Sequence, residues 1–289
     1  MKKIAPFLVL LAGILWGTIG FFVRVLNTAG LSSMEIVMIR AVTTTILLFV
    51  YLTITDKSLL KIRVKDIWCF LGTGICSIVF FNYCYFKTIS MTSLSVAAVL
   101  LYTAPAIVML LSVLLFHEKI RIRKIIALCM TFLGCIFVTG LVGVTDSLYL
   151  PGILVGLGAG LGYALYSIFG RFALERGYHS LTISFYTFLF AMLGTVPLCN
   201  LKQVASVSLT DLKMVLFFFV FGLFSTVIPY IVYTLGLKEM ENSKASIIAS
   251  IEPVTATLLG VFVYHEMLTI NEMIGVALVI GSIILQKEK

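Results

Sequence analysis

From Ala5 to Leu285 the chain is a succession of apolar runs joined by short charged links. Each run approaches the roughly 20 residues that a helix needs to cross a hydrocarbon core of about 30 Å. Inside such a core no water pairs with peptide groups, so a chain of this kind folds as helices that satisfy their own backbone. The pattern predicts ten spans, at 5–25, 34–55, 67–88, 93–116, 124–142, 151–173, 181–200, 212–237, 243–264 and 271–286. Composition agrees: 61% of the residues are hydrophobic and 12% charged, about half the charged share of a soluble domain. An ordinary cytosolic enzyme and a disordered chain are excluded, and the links are too short to hold a separate soluble domain. The expected fold class is an all-α integral membrane protein.

The net charge of +8 invites a nucleic-acid reading, but the basic residues sit in the links. With a cytoplasmic N-terminus, sixteen of the 21 Lys and Arg residues fall on one side, including Lys57, Lys61, Arg63, Lys65, Lys119, Arg121, Arg123 and Lys124. Arg24, Arg40, Lys87, Lys202 and Lys213 fall on the other side or within the membrane. That bias places both termini in the cytoplasm of a multi-pass protein in the plasma (inner) membrane, with the lipid bilayer and no nucleic acid as partner. Lys2-Lys3 followed by Ile4 to Val25 lacks an A-x-A site, and its run is too long for a cleaved leader, so a retained first helix is expected. The six cysteines show no CxxC spacing, which points to neither a zinc site nor a disulfide framework.

The chain also repeats itself. At an offset of 147, Trp16-Gly17 meets Tyr163-Ala164, Arg24 meets Arg171 and Gly30 meets Gly177. At 148, Gly74 meets Gly222, Tyr85 meets Tyr233, Ser95 meets Ser243, Pro105 meets Pro253, and His117-Glu118 meets His265-Glu266. A near-constant offset carrying Arg, Pro and a His-Glu pair marks a duplication, with repeats at 1–142 and 151–289. Five spans is an odd number, so the second repeat would enter the membrane upside down. Inverted five-helix repeats are a transporter architecture with a substrate site near the midplane between the halves.

Leu101-Tyr102-Thr103-Ala104-Pro105 running to His117-Glu118-Lys119, Ile251-Glu252-Pro253 running to His265-Glu266-Met267, and Gly13-Ile14-Leu15-Trp16-Gly17 resemble the EamA domain in two copies. That domain defines a large branch of the drug/metabolite transporter superfamily, and the resemblance covers essentially the whole chain. It implies a secondary carrier of small metabolites, built as a basket of helices around a central cavity, without fixing a substrate. It also explains Glu118 and Glu266 as residues at the family's helix boundaries.

Glu252 is the leading candidate for chemistry. It falls near the middle of the ninth span, where a charge costs about 2.5–3.5 kcal/mol on insertion scales. It is therefore protonated, paired, or facing a wet cavity. Two readings stand: a carboxyl that couples proton movement or meets substrate, or a structural group bonded to a neighbouring helix. Its repeat mate is Ala104, so symmetry does not demand the acid. Pro105 and Pro253 interrupt equivalent spans and free backbone carbonyls, either as hinges of a broken-helix carrier site or as simple kinks. Arg40 lies about seven residues into the second span and either pairs with an acid such as Glu35 or receives an anionic group of substrate.

Trp16, Asn82, Tyr83, Tyr85, Tyr102, Tyr163, Tyr166, Tyr230 and Tyr233 lie well inside spans, where an interfacial belt does not account for most of them. They suit the wall of a cavity for an amphipathic or cationic solute; for each alone, core packing is the competing reading. Gly156, Gly158, Gly160 and Gly162 sit in an apolar run with no preceding strand, so they read as helix contacts and not as a phosphate loop. No second histidine completes an HExxH site, and no Ser-His-Asp set or Walker sequence occurs. Neither metal nor cofactor is expected. The function expected is secondary active transport of a small metabolite, an amino acid or amine-type solute, by alternating access with proton coupling, in a monomer or homodimer. The alternatives are a gradient-independent facilitator, a non-transporting receptor and an intramembrane enzyme.

Overall fold

The computed structural model describes residues 2–141, 149–210 and 212–286. The expected edge at 142, the link 143–148, the repeat boundaries at 1, 142 and 289, and Lys287 and Lys289 lie outside them. The regular secondary structure of the described residues is all helical, without strands. We label the apolar segments α1 (Ala5–Thr28), α2 (Ser33–Thr55), α3 (Val64–Met91), α4 (Leu94–Phe116), α5 (Ile122–Val138), α6 (Leu150–Glu175), α7 (Ser180–Leu198), α8 (Leu212–Glu239), α9 (Asn242–Tyr264) and α10 (Ile270–Leu285). Eight of them are long and apolar enough to cross a membrane, with α10 a shorter apolar helix. α5 has 17 residues and carries Arg123 and Lys124 in its first turn, so the expected span at 124–142 starts and stops earlier. Large apolar side chains such as Phe7, Leu114 and Phe262 point outward, as suits a surface facing lipid.

Local chemistry sets the boundaries. Capping boxes open α2 (Ser32 with Glu35) and α10 (Thr269 with Glu272), each satisfying two otherwise orphaned amides. α1 and α6 are followed by Gly30 and Gly177 at φ 87° and 83°, a left-handed conformation that glycine adopts without a Cβ penalty. The link at 201–211, expected as a loop, holds the helix Leu201–Thr210. Val204 and Val207, three residues apart, pack there onto Leu26 and Phe218; that helical spacing and its tertiary partners outweigh the segment's polarity.

Backbone and duplication agree residue by residue. π-helical turns end at Val79 in α3 and Val227 in α8. α4 breaks between Leu94–Leu101 and Ala104–Phe116, and α9 breaks between Asn242–Ala249 and Glu252–Tyr264. Both end on a left-handed histidine, His117 (φ 54°) and His265 (φ 56°). All of these pairs are 148 apart. Pro105 and Pro253 therefore do not kink a continuous helix. Each occupies the first turn of a new half-helix, where its missing N–H has no bond to lose.

The halves interlock. α1 packs against α8 and α9, and its mate α6 packs against α3 and α4; α2 pairs with α7, and α5 with α10. A Cβ on Gly13 of α1 would stand 2.7 Å from the Ala249 carbonyl oxygen, and one on Gly160 of α6 would stand 2.8 Å from that of Leu100. Glycine at both positions lets the opposing backbone approach the break in each fourth helix. The expected small-residue contact holds for Gly160, and its partner is the other half of the molecule.

Candidate functional site

At the centre, the first and third helices of both halves form an aromatic cage. Trp16 of α1 stands 6.3, 5.1 and 5.2 Å, ring centre to ring centre, from Tyr163 of α6 and from Tyr230 and Tyr233 of α8. Tyr166 meets Tyr230 edge to face at 4.9 Å, and Phe188 of α7 meets it at 4.8 Å. Such edge-to-face pairs align ring quadrupoles favourably. Ser77, Ile78 and Phe81 of α3 and Ser167 of α6 complete the wall. The cavity inside the cage is about 20 Å³. Solute pockets run from about 300 to 1,000 Å³, so in this conformation the cage is nearly closed.

Some of the wall is saturated. Tyr166 Oη bonds Thr234 Oγ1 at 2.9 Å, and Tyr233 Oη shares a 2.7 Å bond with Ser167 Oγ. Two buried polar atoms are not: Trp16 Nε1 and Ser77 Oγ have no hydrogen-bond partner among the described residues. A buried donor left unpaired costs about 1–3 kcal/mol, so both favour a solute or water that accepts from them.

Glu252 opens the second half-helix of α9 and is half-buried beside the cage, where Tyr163 Oη donates to its Oε2 at 3.1 Å. Tyr85 and Tyr102 lie within its electrostatic range. Arg40 of α2, also half-buried, donates from Nε to Thr226 Oγ1 at 3.2 Å, and its charge acts on Tyr230 and Glu252. The pairing of Arg40 with Glu35 considered from the sequence does not form: the Glu35 carboxylate accepts from the Ser32 amide at 2.7 Å in its capping box. A cation and an acid thus flank one aromatic cage.

Of the residues expected from sequence, Trp16, Tyr163, Tyr166, Tyr230 and Tyr233 meet in the cage, with Glu252 and Arg40 at its edge. Others lie outside its lining. Tyr83 is 53% exposed on the outer face of α3. Asn82, though buried, donates Nδ2 to the Ile78 carbonyl of its own helix at 2.8 Å. Tyr102 packs with Cys135, Val254 and Val279 between α4, α5, α9 and α10. The sequence reading passed over Ser77, Phe81 and Ser167. The repeat offers a signal for one of them, since Ser77 has Ser225 as its mate. No group of three or more His, Cys, Asp or Glu side chains suited to a metal ion occurs among the described residues.

A family model for EamA-like transporters matches the chain twice, over residues 3–140 and 150–286. The chain belongs to the EamA-like transporter family. Among similar proteins are an uncharacterized transporter of Archaeoglobus fulgidus, 27% identical over 96% of this chain and 94% of that relative, and the uncharacterized transporter YxxF of Bacillus subtilis, 28% identical over 89% and 81%. A solved structure with a TM-score of 0.78 covers 99% of this chain and 98% of its own at 17% identity, which speaks to the fold alone. EamA membership places the chain in the drug/metabolite transporter superfamily, and with its apolar helices makes it a multi-pass membrane protein of a transporter family, not an enzyme family.

Proposed function

We propose that this EamA protein is a secondary active carrier of a small amphipathic metabolite, of amino-acid or amine type, in the plasma membrane, working by alternating access. The observation that carries the proposal is the aromatic cage with unpaired Trp16 Nε1 and Ser77 Oγ, flanked by Glu252 and Arg40. The rings offer faces to an apolar or cationic group, the free donors and Arg40 suit an acceptor or anionic group, and Glu252 suits a cation or a proton. Ten spans in two inverted five-helix repeats, with both termini cytoplasmic, are the topology this mechanism uses.

Glu252 is the coupling residue of the proposal. A carboxyl protonated in one access state and ionised in the other ties proton movement to solute movement. Glu252→Gln keeps shape and hydrogen bonds but releases no proton. The substrate is found first by a thermal-shift screen against metabolite pools, since a ligand of the native state raises its apparent stability. Uptake into proteoliposomes is then measured with and without an imposed pH gradient. The variant is expected to fold, bind and exchange solute downhill, yet lose gradient-driven accumulation. An identical response to the gradient in variant and wild type would remove Glu252 from coupling, and no response in either would make the protein a facilitator.

A further inference from the structure

The two ends of the helix pair α4/α9 share a glutamate, a serine and an arginine at repeat-related positions, but those residues make different contacts. At the end that the charge bias assigns to the cytoplasm, Glu118 caps the first half-helix of α9. Its carboxylate accepts from the amides of Asn242 (2.6 Å) and Ser243 (3.3 Å) and from Ser243 Oγ (2.5 Å). Lys124 reinforces this contact, 3.5 Å from Glu118 and 2.9 Å from Glu241, and Arg171 binds the Met240 carbonyl and Asn242 Oδ1. Asn242 and Ser243 are fully buried, and Asn242–Ala249 packs on Ala104–Phe116.

At the opposite end, the mates of these residues are all present, but apart. Glu266 is exposed, and while its amide bonds the Gly260 carbonyl at 3.2 Å, its carboxylate has no hydrogen-bond or ion-pair partner among the described residues. Leu94, mate of Asn242, is 62% exposed, and Leu94–Leu101 makes no comparable contact with Glu252–Tyr264. Arg24, mate of Arg171, lies over the Tyr264 ring at 4.1 Å. With Glu266 and Tyr264 it lines an open groove of about 210 Å³ that runs down to Gly17, whose Cβ position abuts the Glu252 carbonyl. Ser95 keeps the hydroxyl that its mate Ser243 gives to Glu118.

We propose that Glu118 and Glu266 are alternating positioning residues of the transport cycle. Glu118 closes one end by capping α9 in the state seen here. Glu266 closes the other by capping α4 at Leu94 and Ser95 in the opposite state. This rests on the alternating-access reading. Each glutamate ends one broken helix and each serine begins the other, so a tilt that brings Glu266 to Ser95 draws Glu118 away from Ser243. Lys124 supplies the bias: its mate is Glu272, held in the α10 capping box, so the second lock has no cation in the equivalent place. The end with the lysine is the closed one.

Hydrogen exchange on the full-length protein in nanodiscs tests the exchange of locks. In wild type, amides of 242–249 are expected to be protected and those of 94–96 to exchange readily. Glu118→Gln should raise exchange at 242–249 several-fold and lower it at 94–96. Glu266→Gln, which breaks no contact present here, should do the reverse by depleting the opposite state. A merely structural Glu118 would loosen 242–249 without tightening 94–96. That pattern, or an inert Glu266→Gln, overturns the proposal even where Glu118→Gln folds poorly. Either result leaves the carrier reading standing; that reading falls separately if wild-type proteoliposomes show no solute flux.

Discussion

The breaks in α4 and α9 are the same piece of backbone with different chemistry. Both run an eight-residue half-helix into two non-helical residues, restart with proline in the first turn and end on a left-handed histidine. Both receive a glycine from the first helix of the other half. Yet the residue that starts the second half-helix is a fully enclosed Ala104 in one and a half-buried Glu252 in the other. Duplication preserved what the backbone needs, namely close approach and proline at a helix start. The acid is a departure in one copy, as expected of a group that serves a solute or a proton and not the scaffold.

The largest expected effect would break the comparison at its scaffold. Gly13→Val and Gly160→Val each force side-chain atoms into an opposing carbonyl, and overpacking of this kind costs about 1–3 kcal/mol. Thermal unfolding in detergent should show both variants destabilised by similar amounts, with Gly20→Ala, which has open space around it, close to wild type. If only one of the two valines is harmful, the breaks are not equivalent supports.

A smaller effect is expected at Arg40, on the side of the cage that the repeat does not duplicate. Lysine keeps the charge but loses the planar fork and the Nε bond to Thr226, so Arg40→Lys should fold normally and bind an anionic or zwitterionic solute about tenfold more weakly, a factor that about 1.4 kcal/mol supplies. Unfolding scans with normal midpoints and unchanged titrations would remove Arg40 from the site. Tyr163→Phe sharpens the asymmetry most finely. It deletes only the hydroxyl that bonds Glu252, an intramolecular bond worth about 1 kcal/mol of stability, so Tm should fall by a few degrees. The corresponding loss at Trp16, its repeat mate, should not follow this pattern, because Trp16 Nε1 bonds no acid.

Much of the fold was legible because hydrophobic length and helix punctuation are local properties. The apolar runs located the helical segments to within four residues, and the 147–148 offset foretold paired glycines, prolines and His-Glu caps. The local signals failed where a partner distant in sequence decides. Leu201–Thr210 is helical because Val204 and Val207 find Leu26 and Phe218. Tyr83 looked like Tyr163 and Tyr166 in the sequence, but its position around α3 turns it to the lipid face, while Phe81 of the same helix reaches the cage.

The sequence by itself determined a helical membrane chain, its duplication and the residue types available for chemistry, since these follow from composition, period and spacing along one strand of polymer, while its motifs carried the resemblance to a family. Only the tertiary structure decided which aromatics share a cage, that Arg40 bonds Thr226 and not Glu35, and that the Glu118 lock is closed while the Glu266 lock is open. Those facts depend on how helices more than sixty residues apart in sequence turn their faces to one another. Two ends that share a glutamate, a serine and an arginine differ in the contacts those residues make, and a one-dimensional pattern does not encode that choice.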